Sequence, residues 1–353
     1  MRQEEIIHLP ESDCAPGCEH PRKTYDLIGH QTSETQFLHA QSTGRLHHAW
    51  LISGPKGVGK ATLAYRIARH MLGGTSLLKG SLNIPQTDPV SQRIEAMGHG
   101  NLYILKRPYD EKSKRFKTEI PVQAVREMNA FFETTSAEDN RPRIAIVDTI
   151  DDMNRNAENA LLKTLEEPPE DALIILLSNN VGRLLPTIRS RCMTLKLETV
   201  NELEITAWIR SKLSLRDDVT EAAVKLSRGG PGKSMAFAQN VDEVIGPLTR
   251  FISSLESNDN RLDNAMASRL SLKDKSEARQ LFWDALQDVL QTQASFTVTG
   301  EWNGAFKPLP VSKTSSQWMT LWNKVQEWQR VEGAINMDKK TVLLTALSEI
   351  RTG

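Results

Sequence analysis

The chain has 353 residues, of which 39% are apolar and 25% are charged, and its 44 basic residues balance its 44 acidic residues. A formal net charge of zero excludes a histone-like protein that binds nucleic acid by bulk charge alone. No apolar run approaches the ~20 residues of a membrane helix, and the N-terminus lacks a signal peptide's basic and apolar regions. The composition predicts a soluble, cytoplasmic protein of two or three domains with no membrane partner.

The N-terminal region combines a polar segment with the first strand and helix of a larger domain. Residues 1–24 contain three prolines and no sustained apolar period, so they predict a flexible arm. The apolar run 48–54 enters a glycine-rich turn, as a buried parallel strand would. Apolar residues at helical spacing follow over 61–72. The same strand, turn and helix order is found in phosphate-binding proteins.

Two further apolar runs extend the alternation of strands and helices. Strands are predicted at 144–147 and 173–177, and the amphipathic helix between them ends at Pro168 and Pro169. Strands that alternate with helices are typical of a parallel sheet covered by helices. The sequence therefore predicts an α/β P-loop domain over 25–199.

Beyond residue 199 the apolar spacing is helical throughout. A Gly-Gly-Pro-Gly turn at 229–232 interrupts a small helical domain over 200–245. Longer helical patterns follow over 246–353, and a segment richer in Pro, Gly and Ser at 296–315 predicts a loop between two of them. We therefore expect a small helical domain and then an all-α C-terminal domain.

The glycine-rich turn matches the G-x-x-x-x-G-K pattern of a phosphate loop, placed between a strand and a helix. Glycines let successive backbone N–H groups turn inward around phosphate oxygens, and the helix N-terminus and a lysine add positive charge. The alternative is a glycine-rich turn with no ligand. The candidate nucleotide-binding residues of this loop are Gly54, Gly57, Gly59, Lys60, Ala61 and Thr62.

Two positions depart from what ATP hydrolysis requires. Ala61 stands where a Ser or Thr hydroxyl coordinates Mg²⁺, and Thr62 is rotated by about 100° around the helix. Asp148, the acidic residue after the second predicted strand, is followed by Thr149 instead of a Glu that would polarise water. The loop therefore predicts binding of ATP or ADP without turnover, and poor binding of magnesium.

Two short motifs carry a family resemblance. Residues 159–169 read NALLKTLEEPP, and residues 190–192 read Ser-Arg-Cys. With the phosphate loop, they resemble bacterial clamp-loader subunits of the AAA+ superfamily. The resemblance implies a AAA+ domain, a helical lid over 200–245, and a collar over 246–353 that joins five subunits into a ring. It also implies as partners the ATP-hydrolysing tau/gamma subunits, a delta subunit, and, through the complex, a sliding clamp and primed DNA.

The resemblance also assigns roles to individual residues. Arg191 of the Ser-Arg-Cys motif corresponds to an arginine finger that reaches the ATP of the neighbouring subunit. Asn179 falls near the first sensor, and Lys233 falls where the second, basic sensor lies. The alternative for Arg191 is an ion pair with a carboxylate of its own chain, and Arg189 is expected to be structural. Because five of the seven tryptophans lie after residue 280, some of them are expected in a subunit interface.

Metal binding is not predicted. Cys14, Cys18 and His20 offer three ligands, whereas a structural zinc site needs four. Many bacterial relatives carry a four-cysteine zinc module after the phosphate-loop helix, but residues 71–140 contain no cysteine. The basic segment 106–117 predicts an exposed hairpin, with contact to DNA backbone as the alternative.

The sequence thus predicts a clamp-loader subunit that does not hydrolyse ATP and completes the active site of its neighbour. The alternative is an active P-loop ATPase motor, in a clamp loader or another AAA+ assembly, that uses Thr62 and Asp151 in unusual places. Against this alternative, Asp151 and Asp152 are expected to be solvent-facing residues at a helix start.

Overall fold

The computed structural model falls into two compact units. The first contains residues 1–15 and 19–199, and the second contains residues 16–18 and 200–353. The predicted further division at residue 245 falls inside a helical stretch and stays a prediction. The residues that the structure describes are 11–15, 17–112, 115–134, 141–256, 261–334 and 338–352.

A five-stranded parallel sheet forms the centre of the first unit, which confirms the predicted α/β class. Its strands and those of a small antiparallel hairpin are β1 (Ala49–Ser53), β2 (Leu102–Lys106), β3 (Tyr109–Asp110), β4 (Arg115–Phe116), β5 (Arg143–Asp148), β6 (Ala172–Ser178) and β7 (Met193–Lys196). The order across the sheet is β2-β5-β6-β1-β7, and β3 pairs with β4 in the predicted hairpin. Parallel pairing brings the ends of β1, β5 and β6 to one edge, where the phosphate loop begins.

Helices cover both faces of this sheet. They are α1 (Gln31–Ser42), α2 (Lys60–Met71), α3 (Pro89–Glu95), α4 (Val122–Glu133), α5 (Arg155–Glu166) and α6 (Pro186–Arg189). The first three pack on one face around Trp50 and Ile52, and the last three pack on the other around Leu51. Alternate residues of β1 thus enter opposite cores, as the two-residue period of a strand requires.

The segment predicted as a flexible arm is packed where the structure describes it. His20 and Arg22 are each only 8% exposed. The Arg22 Nε donates to the backbone oxygen of Glu95 at 3.1 Å, and Arg69 donates to the backbone oxygen of Arg22. The prediction of a loose arm over 1–24 is therefore wrong for residues 19–24, because paired charges allow a polar segment to be buried. Residues 1–10 lie outside the described part of the chain.

The second unit is mainly helical in its described residues, as predicted. Its α-helices are α7 (Glu202–Lys212), α8 (Asp217–Ser227), α9 (Pro231–Gln239), α10 (Gly246–Ser254), α11 (Arg261–Leu270), α12 (Ser276–Thr299), α13 (Ser315–Ala334) and α14 (Lys339–Thr352). The predicted loop at 296–315 is shorter than expected, since α12 continues to Thr299. In the described residues, no helix has both the length and the apolar character that crossing a membrane requires.

Two of the late tryptophans belong to the core of their own unit. Trp283 and Trp318 are 1% and 0% exposed, so neither is accessible to another subunit. Trp302, Trp322 and Trp328 are partly exposed and remain the candidates for the predicted interface.

Candidate nucleotide-binding site

The backbone of the phosphate loop requires glycine at two of the predicted positions. Gly54 has φ +154°, and a Cβ atom there would lie 2.3 Å from the carbonyl oxygen of Leu197. Gly59 has φ +111°, and its Cβ would lie 2.9 Å from the Leu27 side chain. Gly57 also has a positive φ, of 83°. The sequence therefore folds here as a phosphate loop does, with its glycines at conformations that other residues rarely adopt.

Lys60 is turned back into the loop. Its Nζ donates to the carbonyl oxygens of Gly54 and Pro55 at 2.8 and 2.7 Å. Burial lowers the pKa of this ammonium to about 8. A bound phosphate would replace these carbonyl contacts and add negative charge next to the buried lysine.

The two positions after Lys60 lie in the first turn of α2. Ala61 is half-buried against the helical core, and Thr62 is buried, as residues of the first turn of α2. Ala61, at the position expected to coordinate a metal, therefore has a methyl group in place of an oxygen. The set of donors here suits phosphate better than magnesium.

Asp148 ends β5, at the same edge of the sheet as the phosphate loop, and lies opposite Lys106 of β2. Desolvation by burial and the charge of the nearby Asp13 raise the pKa of Asp148 to about 7, although Lys60 acts in the opposite direction. A carboxyl group that is partly protonated near neutral pH is a weak metal ligand and a weak proton acceptor. Thr149, at the next position, has a hydroxyl in place of a carboxylate, so neither residue is a strong proton acceptor.

The raised pKa of Asp148 predicts a pH-dependent stability. The folded chain retains the Asp148 proton up to about pH 7, whereas the ordinary value is 3.8. Stability is therefore lost as pH rises between these values, and the free energy of unfolding should fall by about 1–2 kcal/mol between pH 5 and pH 7. Asp148→Asn should remove that component, which urea unfolding at several pH values would measure. Parallel pH profiles for the two proteins would contradict the assignment.

Asp151 and Asp152 are at a helix start, as predicted, but they are only partly exposed and both have partners in the chain. They lie in a short 3₁₀ turn before α5. Asp151 Oδ1 accepts a hydrogen bond from the Ser178 hydroxyl at 2.9 Å, and its Oδ2 accepts from the backbone N–H of Asn179. Asp152 pairs with Arg107 at 3.2 Å. Both oxygens of Asp151 therefore tie the turn after β5 to the end of β6, where Asn179 is exposed.

In the structure, His20 belongs to a cluster of charged side chains and not to the Cys14, Cys18 and His20 set considered from the sequence. Its Nε2 lies 2.8 Å from Glu11 and 3.2 Å from Asp13, and Lys106 Nζ lies 2.8 and 2.6 Å from the same two carboxylates. The His20 Nδ1 accepts the N–H of Arg22 at 3.1 Å, so the ring proton is on Nε2. A protonated nitrogen is not available to a metal, and Lys106 and Arg22 together already balance the two carboxylates. The cluster is an ion-pair network that fixes the N-terminal segment.

The cysteines serve backbone contacts. Cys14 donates to the carbonyl of Ala15 at 3.7 Å, and Cys18 donates to that of Gly232 at 3.1 Å. Burial raises the pKa of Cys192 to about 12, so its thiol is unreactive at neutral pH.

Arg191 follows α6 and is held at the surface of the first unit. Its Nη1 donates to the carbonyl of Thr187 at 2.9 Å, and its Nη2 lies 2.8 Å from Glu166. The side chain stays 35% exposed. The ion pair with a carboxylate of its own chain, which the alternative interpretation expected, thus exists together with an accessible guanidinium. Arg189 is exposed.

Lys233 lies in α9 of the second unit. Its Nζ is 3.1 Å from Asp284 and 5.7 Å from the centre of the Phe237 ring. Its assignment as the second sensor stays a prediction.

The architecture defines the class of protein to which the first unit belongs. A parallel sheet in the order β2-β5-β6-β1-β7, a phosphate loop after β1 and an acidic residue at the end of β5 make it a P-loop module of the AAA+ type. Residues 29–201 match the family described as DNA polymerase III, delta subunit. Over these residues, just under half of the chain, the sequence is therefore similar to DNA polymerase III clamp-loader subunits.

Individual relatives agree with the family match. The chain is 31% identical over 192 residues to DNA polymerase III subunit gamma of Buchnera aphidicola, which is 54% of this chain and 49% of that protein. It is 32% identical to subunit delta' of Pseudomonas aeruginosa and 31% identical to that of Escherichia coli, over 56% of this chain in both cases. These matches span 58% and 56% of the delta' proteins. The chain thus matches only about half the length of these relatives.

A solved structure of a gamma-subunit-related protein from Thermotoga maritima aligns with 89% of this chain and 98% of its own. Its TM-score is 0.45 and its sequence identity is 18%.

Proposed function

We propose that this protein is a clamp-loader subunit that does not hydrolyse ATP and instead supplies Arg191 to the ATP site of a neighbouring subunit. One contrast supports the proposal. The chain's own phosphate loop lacks the groups for hydrolysis, whereas Arg191 is partly exposed at the surface and held by Glu166. In a ring, such a subunit would act as a stator that completes the catalytic site of its neighbour.

Four features weaken hydrolysis at the chain's own loop. Ala61 offers no metal ligand, and Thr149 offers no strong proton acceptor. Asp148 is partly protonated near neutral pH, and both oxygens of Asp151 already accept hydrogen bonds from the chain. These features also argue against the alternative in which Asp151 replaces a missing catalytic carboxylate.

The loop retains what phosphate binding requires, namely its glycine conformations and Lys60. We therefore propose that ATP or ADP occupies it as a bound ligand without turnover. Gly54, Gly57 and Gly59 would present backbone N–H groups to the phosphates, and Lys60 would supply charge. The residues present favour neither zinc nor tightly bound magnesium.

Arg191 suits a role in phosphoryl transfer for chemical reasons. A guanidinium is planar, remains charged at every physiological pH, and offers paired donors to the oxygens of a phosphate. Charge on those oxygens grows as the terminal phosphoryl group transfers, so a cation placed there stabilises the transition state. The chain itself undergoes no chemistry in this step.

The proposed partners follow from the relatives. They are named as gamma, tau/gamma and delta' subunits of DNA polymerase III. We propose that this chain assembles with tau/gamma and delta subunits in a five-subunit ring, and that the complex opens a sliding clamp and places it on primed DNA. In this arrangement residues 200–245 would form the lid and residues 246–353 the collar.

Removal of Lys60 tests whether the chain's own loop matters for turnover. In the assembled complex, Lys60→Ala should change clamp loading by less than about 3-fold, because an inert site contributes no hydrolysis. Loading of the clamp on primed DNA by the purified complex would measure this effect. Complete loss of loading by a complex that still assembles would contradict the proposal.

The second candidate function is an active ATPase motor. The gamma subunits among the relatives, the intact Lys60 and the glycine geometry favour it. The two functions differ in one simple property, since only a motor would hydrolyse ATP as the isolated chain.

A further inference from the structure

The NALLKTLEEPP motif forms a helix whose end is held in place. Asn154 caps the N-terminus of α5 by accepting the N–H of Ala157 at 3.0 Å. Leu161 and Leu165 are 0% and 2% exposed in the core. Thr164, in the last turn, donates to Asn129 of α4 at 2.8 Å. These contacts fix the last turn of α5, which carries Glu166.

Glu166 is the last residue of this helix, and Pro168 and Pro169 prevent the helix from continuing. A negative charge at a helix C-terminus is unfavourable, because the last carbonyl groups already carry partial negative charge. Helix stability therefore does not account for a glutamate at this position. Its carboxylate instead lies 2.8 Å from Nη2 of Arg191, with 49% of the glutamate side chain exposed.

The guanidinium of Arg191 is thus held from two directions. Glu166 contacts Nη2 from the end of α5, and the carbonyl of Thr187 contacts Nη1 from α6. An unrestrained arginine side chain has about 2 kcal/mol of rotamer entropy to lose when it binds a phosphate. Two fixed contacts remove much of that freedom before the neighbouring subunit arrives.

We infer that Glu166 is a positioning residue that orients Arg191 toward the phosphate of the neighbouring subunit. The inference rests on the proposed function, because it assumes that Arg191 acts in trans. The glutamate of the NALLKTLEEPP motif and the arginine of the Ser-Arg-Cys motif would thus act together at one site. Glu166 itself contacts no phosphate and acts only through the direction that it gives the guanidinium.

Alanine substitution in the assembled complex tests this inference. Glu166→Ala should lower the kcat for clamp- and DNA-dependent ATP hydrolysis about 5-fold and leave KM within 2-fold, since misorientation affects the transition state more than binding. The matched control is Glu167→Ala, which should leave kcat unchanged: Glu167 is also exposed and has no ion pair within the described residues. Alanine is a good helix former, so neither variant should unfold α5.

A double variant separates this inference from the proposed function. Adding Glu166→Ala to Arg191→Ala should lower kcat no further, because Glu166 acts only through the arginine. A further loss in the double variant, or an unchanged kcat in Glu166→Ala alone, would overturn the role of Glu166. If Arg191→Ala itself leaves kcat unchanged, the proposed function fails and the inference fails with it.

Discussion

Replacement of Arg191 by alanine is expected to leave the chain folded and assembled, while the ATP hydrolysis of the clamp-loader complex falls at least about 10-fold. The side chain is at the surface, and its contacts are a partly exposed ion pair and hydrogen bonds to the Thr187 carbonyl and the Ser190 hydroxyl, so its removal costs little stability. A fully engaged arginine finger is worth about 10³–10⁵ in kcat at its own site. A smaller effect is expected for the whole complex because, in the proposed ring, the other ATP sites would not depend on Arg191.

Arg189 provides the control for this experiment. It lies two residues earlier in the same segment, is also exposed, and carries the same charge. Arg189→Ala should therefore change the ATPase rate of the complex by less than about 2-fold. Equal losses for the two variants would indicate an effect of local structure or charge, and no loss for Arg191→Ala would remove the arginine-finger role.

Replacement of Arg279 by methionine is expected to destabilise the second unit by about 3–5 kcal/mol, because it leaves a buried carboxylate without its partner. Arg279 and Glu332 form an ion pair in which both side chains are less than a tenth exposed. The indole N–H of Trp283 donates to the same carboxylate at 2.7 Å, and Arg279 donates to the carbonyl of Leu270. Urea unfolding followed by tryptophan fluorescence would report the loss.

Two further comparisons test whether burial of the Arg279–Glu332 ion pair causes the large loss of stability. Replacing both partners, as Arg279→Met with Glu332→Met, should recover part of the lost stability, because no unpaired charge then remains. Lys324→Ala removes an ion pair that is 49% and 36% exposed, so it should cost at most about 1 kcal/mol. Similar costs for Arg279→Met and Lys324→Ala would mean that water reaches the buried pair.

The sequence was sufficient to predict the elements around the phosphate loop. The apolar run at 48–54, the glycine-rich turn and the helical spacing at 61–72 correspond to β1 (Ala49–Ser53), the loop and α2 (Lys60–Met71). These segments are fully buried strands and amphipathic helices, for which the hydrophobic pattern is a strong signal. The parallel character of the sheet followed from the alternation of strands and helices.

The elements that were missed have weaker local signals. The strand β2 (Leu102–Lys106) lies at an edge of the sheet and is mostly half-buried, and its apolar run is only four residues long before a basic segment begins. The order of the strands depends on contacts between distant residues and has no local signature. The packing of residues 19–24 was missed for the same reason, since a polar segment is buried only if its partners arrive from elsewhere in the chain.

In the candidate site, too, the sequence predicted features that depend on neighbouring residues and missed those that depend on residues far apart in the chain. The departures at Ala61 and Thr149 are visible in the sequence because the motif fixes the expected residue types. The raised pKa of Asp148 and the hydrogen bonds of Asp151 depend on groups brought together by folding. The pairing of Glu166 with Arg191 joins two motifs that are adjacent only in the structure. The residue types were sufficient to identify each motif, but they could not show that the two motifs are in contact.

The most direct test of the central claim is steady-state ATP hydrolysis by the purified chain, measured alone and then with the tau/gamma and delta subunits, clamp and primed DNA. We predict no turnover by the chain alone, and turnover in the mixture that falls when Arg191 is replaced by alanine. Turnover by the chain alone that Lys60→Ala abolishes would contradict the account and identify the protein as a motor.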